Sequence, residues 1–271
     1  MHSMYLGIDI GGTKTIVARL DDRGVILESR RFPTPKDYRI FLKALEDNVA
    51  KLSSKEASAC CAAVPGSIDR QKGICKALGN LPWKNVPIQK DIQDIVDCPT
   101  VIENDANLAG LSESMLLEQY ERIFYITIST GIGSGYIVNR TIDPSMANSE
   151  AGHMVIEYQD KLQRWEDFAS GRAIVKKFGK RASDITDERT WKIIAHAIAL
   201  GLIDIIATVQ PEVIVFGGGV DTYFERFKPY LEAELKKYDT PMTPIPPLLQ
   251  ASRPEDAVVY GCYDLAKQIY G

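Results

Sequence analysis

The chain has 271 residues, 45% of them apolar and 25% charged, and a net charge of −4. That length suits one large domain or two medium ones with real cores. The weak acidity offers no global attraction for nucleic acid or an anionic membrane, so neither is expected as a partner.

In chain order, residues 4–9 and 15–20 are rich in strand formers. Asp21-Asp22-Arg23-Gly24 reads as a turn, and 25–31 as the third strand of a meander. Apolar spacing predicts a helix over 37–52. ASACCAAV, 57–64, reads as a short buried strand ended by a Pro65-Gly66 turn. A helix is expected over 88–96, a strand over 99–103 and a helix over 106–118, with Asn104 and Asp105 where that helix begins. A second round follows: strands 122–128 and 134–139 around a glycine turn, a loop-rich stretch, and helices over 166–179 and 190–209. Strand 212–216 then runs into Gly217-Gly218-Gly219 and a helix over 221–238. A proline-rich link, 241–247, leads through 248–251 to a last helix over 255–269. Alternating strands and helices predict an α/β fold with a mainly parallel sheet.

No apolar run approaches the ~18 residues needed to cross a bilayer. The opening MHSMYLGIDI lacks a charged segment followed by a long apolar one, so no secretory signal is expected. Cys60, Cys61, Cys75, Cys98 and Cys262 are odd in number and form no C-x-x-C, which reads as reduced thiols in a cytoplasm.

The informative feature is a repeat. Strand, glycine-rich reversal with hydroxyls, strand occurs at 4–20 and again at 122–139. Two such units predict two similar α/β lobes facing a cleft. The boundary is placed at 108/109, with 1–108 and 256–271 in one lobe and 109–255 in the other. At the first reversal stand Asp9, Gly11, Gly12, Thr13 and Lys14; at the second, Thr130, Gly131 and Gly133. Glycines let several backbone N–H groups converge on an anion. Thr13 and Thr130 add hydroxyl donors, Lys14 adds a positive charge, and Asp9 can hold Mg²⁺ directly or through water. A polyphosphate chain suits such a pair of turns. Neither turn fits G-x-x-x-x-G-K-S/T or G-x-G-x-x-G. Gly217, Gly218 and Gly219 end a β-branched strand and suit the nucleoside end of the same ligand.

Glu103-Asn104-Asp105-Ala106-Asn107 ends a strand and caps a helix, an ordinary place for Asn and Asp. Glu150 and His153, Glu166 and Asn80 are each unremarkable alone. Together the motifs LGIDIGGTKT, AAVPGSID, LGNLPWKNVPI, VIENDANLAGLSE, STGIGSGYIVN, SEAGHMVIE, WEDFASGRAI and VIVFGGGV resemble, in order and nearly end to end, the ROK family of sugar kinases and repressors, most closely its bacterial glucokinase-like members. The resemblance implies the two-lobed actin-like ATPase (ribonuclease H-like) fold and an ATP-dependent sugar kinase, glucose being the first choice of acceptor. It implies Asp105 as general base and Gly66, Asn80, Asn104, Asp105, Glu150, His153 and Glu166 around the sugar. It also implies the Asp9–Lys14 turn and Thr130–Gly133 on the ATP phosphates, Gly217–Gly219 beside the adenosine, and Mg²⁺ with the nucleotide. A sugar pocket needs such paired donors and acceptors, and phosphoryl transfer needs chiefly alignment and charge neutralisation.

Many relatives of that family carry a cysteine-rich zinc site after E-x-G-H. Here the stretch is EYQDKLQRWEDF, without cysteine, so no structural zinc is expected and packing through Trp165 and Phe168 must hold the loop. Zinc-free relatives include polyphosphate-dependent glucokinases. The basic run Arg172, Lys176, Lys177, Lys180 and Arg181 reads as a solvated helix face, and ATP ranks first as donor. A family repressor would need a helix-turn-helix ahead of the first strand, which begins near residue 4. Other hexose or amino-sugar kinases and a non-catalytic sugar sensor are the competing readings. Exposed apolar side chains and family habit point to a homodimer.

Overall fold

The two strand–turn–strand units seed two separate sheets. The computed structural model describes residues 3–54, 56–253 and 256–271. The chain divides into two compact units, Met1–Ser112 with Glu255–Gly271, and Glu113–Pro254.

In the first unit, β1 (Tyr5–Ile10) and β2 (Lys14–Leu20) pair antiparallel, Ile10 opposite Thr15, and β3 (Ile26–Pro33) extends the meander. Helix α1 (Tyr38–Val49) starts at Asp37, whose carboxylate accepts from the Arg39 and Ile40 amides. Strand β4 (Ala59–Val64) lies parallel to β1. A small antiparallel sheet follows, β5 (Ser67–Asp69), β6 (Ile74–Ala77) and β7 (Lys84–Val86), then α2 (Ile88–Val96). Strand β8 (Thr100–Asn104) runs parallel to β4 and passes directly into α3 (Asp105–Ser114). The sheet order is β3-β2-β1-β4-β8. Strand alternation sorts the core: Leu6, Ile8 and Ile10 pack with Phe41, Leu45, Ile88 and Ile92 on one face.

In the second unit, β9 (Arg122–Ile128) and β10 (Ile132–Val138) form the second hairpin, and β11 (Thr141–Ile142) pairs with β10. A hairpin of β12 (Val155–Tyr158) and β13 (Lys161–Arg164) leads into α4 (Trp165–Ala169) and α5 (Gly171–Phe178). The long α6 (Glu188–Val209), β14 (Val213–Gly217), α7 (Phe224–Leu235) and β15 (Leu248–Gln250) follow. The order is β11-β10-β9-β14-β15, the same plan as the first unit: antiparallel on one side of the leading strand, parallel on the other. Phe124, Ile126, Phe216, Ile198, Leu202 and Phe227 share its core.

The last helix, α8 (Ala257–Tyr270), belongs to the first unit and covers the other face of its sheet. Tyr263 meets Tyr5 edge-on at 5.3 Å, and a Cβ on Gly261 would lie 2.0 Å from the Leu108 carbonyl, so only glycine allows this approach. Residue 255 of the expected helix lies outside the described residues.

Four expectations need correction. The sheets are mixed rather than mainly parallel, because each glycine turn joins adjacent strands too tightly for anything but an antiparallel pair. The helix expected over 166–179 breaks at Ser170, whose hydroxyl caps α5 by accepting from the Ala173 amide at 3.2 Å. The stretch expected over 221–238 as one helix carries a 3₁₀ turn at each end of α7. Finally, α6 is long and apolar enough to cross a membrane by length and composition. Its Trp191, Ile194, Ile198, Leu202 and Ile205 are buried in the second unit's core, which explains that apolarity.

Candidate functional site

The first unit gathers five of the predicted features. The β1–β2 turn closes with the Gly11 amide donating to the Lys14 carbonyl at 2.9 Å. A Cβ on Gly11 would lie 2.8 Å from that oxygen. Thr13 and Lys14 are exposed at the tip. Asp9, at the end of β1, is half-buried; burial pushes its carboxyl up to about 6, with Lys14 and Arg31 pulling it back. Gly12 touches Asn80, whose Cβ is 2.7 Å from the position a Gly12 Cβ would take. Lys36 ties these two segments together, its Nζ donating to the Gly12 carbonyl at 3.2 Å and the Asn80 carbonyl at 2.9 Å. Thr34 supports the same turn through its hydroxyl on the Gly11 carbonyl, 2.8 Å.

Gly66 has φ +121, and a Cβ there would lie 2.4 Å from the Ala77 carbonyl, so the Pro65-Gly66 turn demands glycine. The Asn104 Nδ2 reaches the Gly66 carbonyl at 3.5 Å. The Asn104 Oδ1 accepts from the Ala106 and Asn107 amides at 2.9 and 3.3 Å, an N-cap as its residue type allows. Asp105 opens α3 and its Oδ1 accepts from the Ala106 amide at 2.9 Å. Beneath them, Glu103 is buried and pairs with Arg70.

The second unit gathers the rest. The Ser129 amide donates to the Gly131 carbonyl at 2.9 Å, closing the β9–β10 turn with Thr130 exposed at its tip. Gly133 lies on β10 opposite Thr127. A Cβ on Gly152 would lie 2.3 Å from the Ile132 carbonyl, so the segment carrying Glu150 and His153 rests on this same turn. Glu166 reaches it too: its Oε2 accepts from the Ile132 amide at 3.4 Å and lies 2.6 Å from where a Gly131 Cβ would be. His153 and Arg172 each approach the Glu166 Oε1 at 3.7 Å. Glu150 keeps contact with solvent, yet partial burial raises its carboxyl above the ordinary carboxylate range, with His153 opposing and Glu166 adding.

The third glycine turn fits closely around its neighbours. A Cβ on Gly217 would lie 2.0 Å from the Tyr125 hydroxyl, and Gly218, at φ +103, packs on Thr127 and Ile128. Gly219 faces open space. With Thr130, Arg172, Arg181, Val220 and Tyr223 it lines a pocket of about 450 Å³. A larger depression of about 610 Å³, lined by Tyr158, Lys177, Lys192 and His196, holds none of the predicted residues. Three of its polar groups are engaged: Lys177 with Tyr158, Lys192 with Glu188, His196 with Glu234. Next to the third turn, Asp221 is buried and neither of its carboxylate oxygens has a hydrogen-bond partner among the described residues. Burial raises its pKa well above the ordinary value.

The stretch lacking the cysteines is held by packing. Trp165 is fully buried with its indole N–H on the Ala197 carbonyl at 3.0 Å, and Phe168 stacks on Tyr158 with ring centroids 4.3 Å apart. Sequence reading missed Lys36, Arg70 and Tyr223. The basic run predicts a solvated face for Arg172 and Arg181, whereas the structure puts both on the pocket wall beside Thr130. Their only signal was membership of the basic run, which does not tell wall from surface.

The model of the ROK family matches residues 5–269. A glucokinase of Streptomyces coelicolor is 29% identical over 203 residues, 71% of this chain and 64% of that relative. An N-acetyl-D-glucosamine kinase of Haemophilus influenzae is 27% identical over 299 residues, 95% of this chain and 97% of that relative. Among solved structures, a ROK family glucokinase from Streptomyces griseus in complex with glucose and AMPPNP superposes with a TM-score of 0.81. It is 23% identical and covers 99% of this chain and 100% of that one. The fold is therefore the two-lobed actin-like ATPase architecture expected from the motifs.

Proposed function

The chain is a sugar kinase of the ROK family, and from that premise we propose that it transfers the terminal phosphoryl group of ATP to a hexose hydroxyl, with glucose and its 6-hydroxyl as the first choice. The observation that carries this reading is the convergence of Glu150, His153 and Glu166 on the Gly131–Gly133 turn. Groups suited to sugar hydroxyls adjoin a turn suited to phosphate, as a transfer between the two requires. The Streptomyces griseus complex with glucose and AMPPNP supports the same pairing of ligands.

In this proposal Asp105 accepts the hydroxyl proton as that oxygen attacks the γ-phosphorus in line. Gly66, Asn80, Asn104, Glu150, His153 and Glu166 orient the sugar. The turns Gly11–Lys14 and Thr130–Gly133 hold the phosphates through backbone N–H groups. Gly217, Gly218 and Gly219 border the adenosine. Asp9 fits Mg²⁺: it is a hard oxygen donor whose charge, unfavourable in its half-buried place, a cation would stabilise. The ion would come with the nucleotide and neutralise charge on the phosphates.

The cysteines are buried free thiols, which supports a cytoplasmic enzyme. Exposed Val155 and Leu162 on the β12–β13 hairpin support a homodimer. A second acceptor, N-acetylglucosamine, is favoured by the Haemophilus relative, whose length the chain matches almost completely. ADP release measured across hexoses and N-acetylhexosamines, repeated with polyphosphate as donor, tests acceptor and donor together. Highest kcat/KM on glucose with ATP is expected. No turnover with any sugar and either donor would sink the kinase reading.

A further inference from the structure

We infer that Arg70 and Glu103 form an ion pair that positions Asn104 and Asp105 for phosphoryl transfer, an inference that rests on the reading of Asp105 as the base. Glu103 is 5% exposed, near the end of β8, one residue before Asn104. Its Oε2 accepts from the Arg70 Nε at 2.7 Å, and its Oε1 from the Arg70 Nη2, closing a two-point bridge. The same Oε1 accepts from the Asn104 amide at 2.6 Å and the Asn107 Nδ2 at 2.9 Å.

Each of these bonds has a consequence for Asp105. The amide bond fixes the backbone one residue before it. The Asn107 bond fixes the first turn of α3, two residues after it. One carboxylate therefore holds the chain on both sides of the proposed base. A carboxylate only accepts, so its orientation is set by its donors. A planar guanidinium with two parallel bonds fixes the plane of the carboxylate as a single ammonium would not. Arg70 lies just past β5, four residues beyond Gly66, so the pair also joins the strand end to the turn that the Asn104 side chain touches. Without Arg70, Glu103 would be a buried charge lacking its counter-ion, and its hold on Asn104 and Asn107 would loosen. Transfer is sensitive to such loosening, because a misplacement of ~1 Å in a reacting group lowers the rate by about 100-fold.

The test uses Glu103→Gln, Arg70→Met and the double variant of the whole chain. The measurements are kcat per folded molecule, KM for ATP, glucose affinity by calorimetry, and the melting temperature. We expect each single change to lower kcat by about 10–100-fold, with a smaller loss of glucose affinity through the loosened Asn104. The double variant should be no slower than the slower single one, because both act through one pair. Arg70→Lys, which keeps the charge and loses the fork, should restore only part of the rate. If the folded fraction of each variant turns over at the parent rate, whatever its melting temperature, the pair is structural and the inference falls. Should Glu103→Gln fail to fold, Arg70→Met, at a site 28% exposed, decides the matter alone. Asp105→Asn assayed alongside separates the two claims. Near-normal turnover there refutes the base, whereas an inactive Asp105→Asn beside fully active pair variants refutes only the positioning.

Discussion

The Glu166 carboxylate occupies the space that a side chain on Gly131 would need: its Oε2 lies 2.6 Å from the position of a Gly131 Cβ and accepts from the neighbouring Ile132 amide. A residue assigned to the sugar thus leans on a turn assigned to phosphate. Gly131→Ala should push the carboxylate off the turn. The obstructing atom is the free end of a side chain, so the melting temperature should hardly move. Steady-state kinetics should show kcat/KM down by about 10–100-fold. Unchanged kinetics would mean that Glu166 does not hold this place during turnover.

Asp105→Asn removes the proposed proton acceptor and leaves a side-chain oxygen for the Ala106 amide that Asp105 now serves. We expect kcat to fall by on the order of 10²–10⁴, with glucose binding retained in calorimetry. Loss of glucose binding together with turnover would assign Asp105 to the sugar rather than to the proton.

Asp221 has a pKa raised well above its ordinary 3.8 by burial. The native chain therefore keeps a proton that the unfolded chain releases. Stability is greatest below the ordinary carboxylate range and falls as pH climbs from there toward the raised value. An amide has no such proton to lose. Asp221→Asn should match the parent near pH 4 and be the more stable of the two at pH 8. Urea unfolding at the two values checks this; a constant offset across them would show that the carboxyl does not titrate as stated.

Gly201 lies within α6 against Trp165, where a Cβ would fall 2.2 Å from the indole. Gly201→Ala gains about 0.5–1 kcal/mol of helix preference and overpacks a rigid ring, at about 1–3 kcal/mol. Net destabilisation is expected in urea unfolding. A rise in KM for the sugar should accompany it, since Glu166 follows Trp165 directly. A stabilised variant with parent kinetics would show that the ring is free to shift.

Much of the fold was legible because short-range pattern decides it. The strand–turn–strand units, the Asn104–Asp105 helix start and the third glycine turn all follow from alternation and from residue types with few other uses. The β5–β7 sheet escaped notice because three strands of three or four residues carry too little alternation to register. Alternation of strands and helices predicts parallel pairing for the whole sheet, whereas the meander it also contains supplies an antiparallel half. The break at Ser170 hides in a good helical pattern; the cause is long-range, since the Gly171 amide bonds the Ser129 carbonyl and a Cβ on Gly171 would lie 2.5 Å from it. For the site, motifs named the residues with distinctive neighbours. They could not name Lys36, Arg70 or Tyr223, whose roles come from partners tens of residues away.

Helix α8 supplies Val259, Cys262 and Tyr263 to the layer beneath Tyr5 and Leu108. Emerging from the ribosome, the segment 113–254 has all of its own strands before that layer can close. The strands around Tyr5 must wait for a helix translated well after them. Nascent chains stalled short of residue 257 should accordingly keep the turn at Gly11 and Gly12 accessible to protease, long after the Gly131 turn has become resistant.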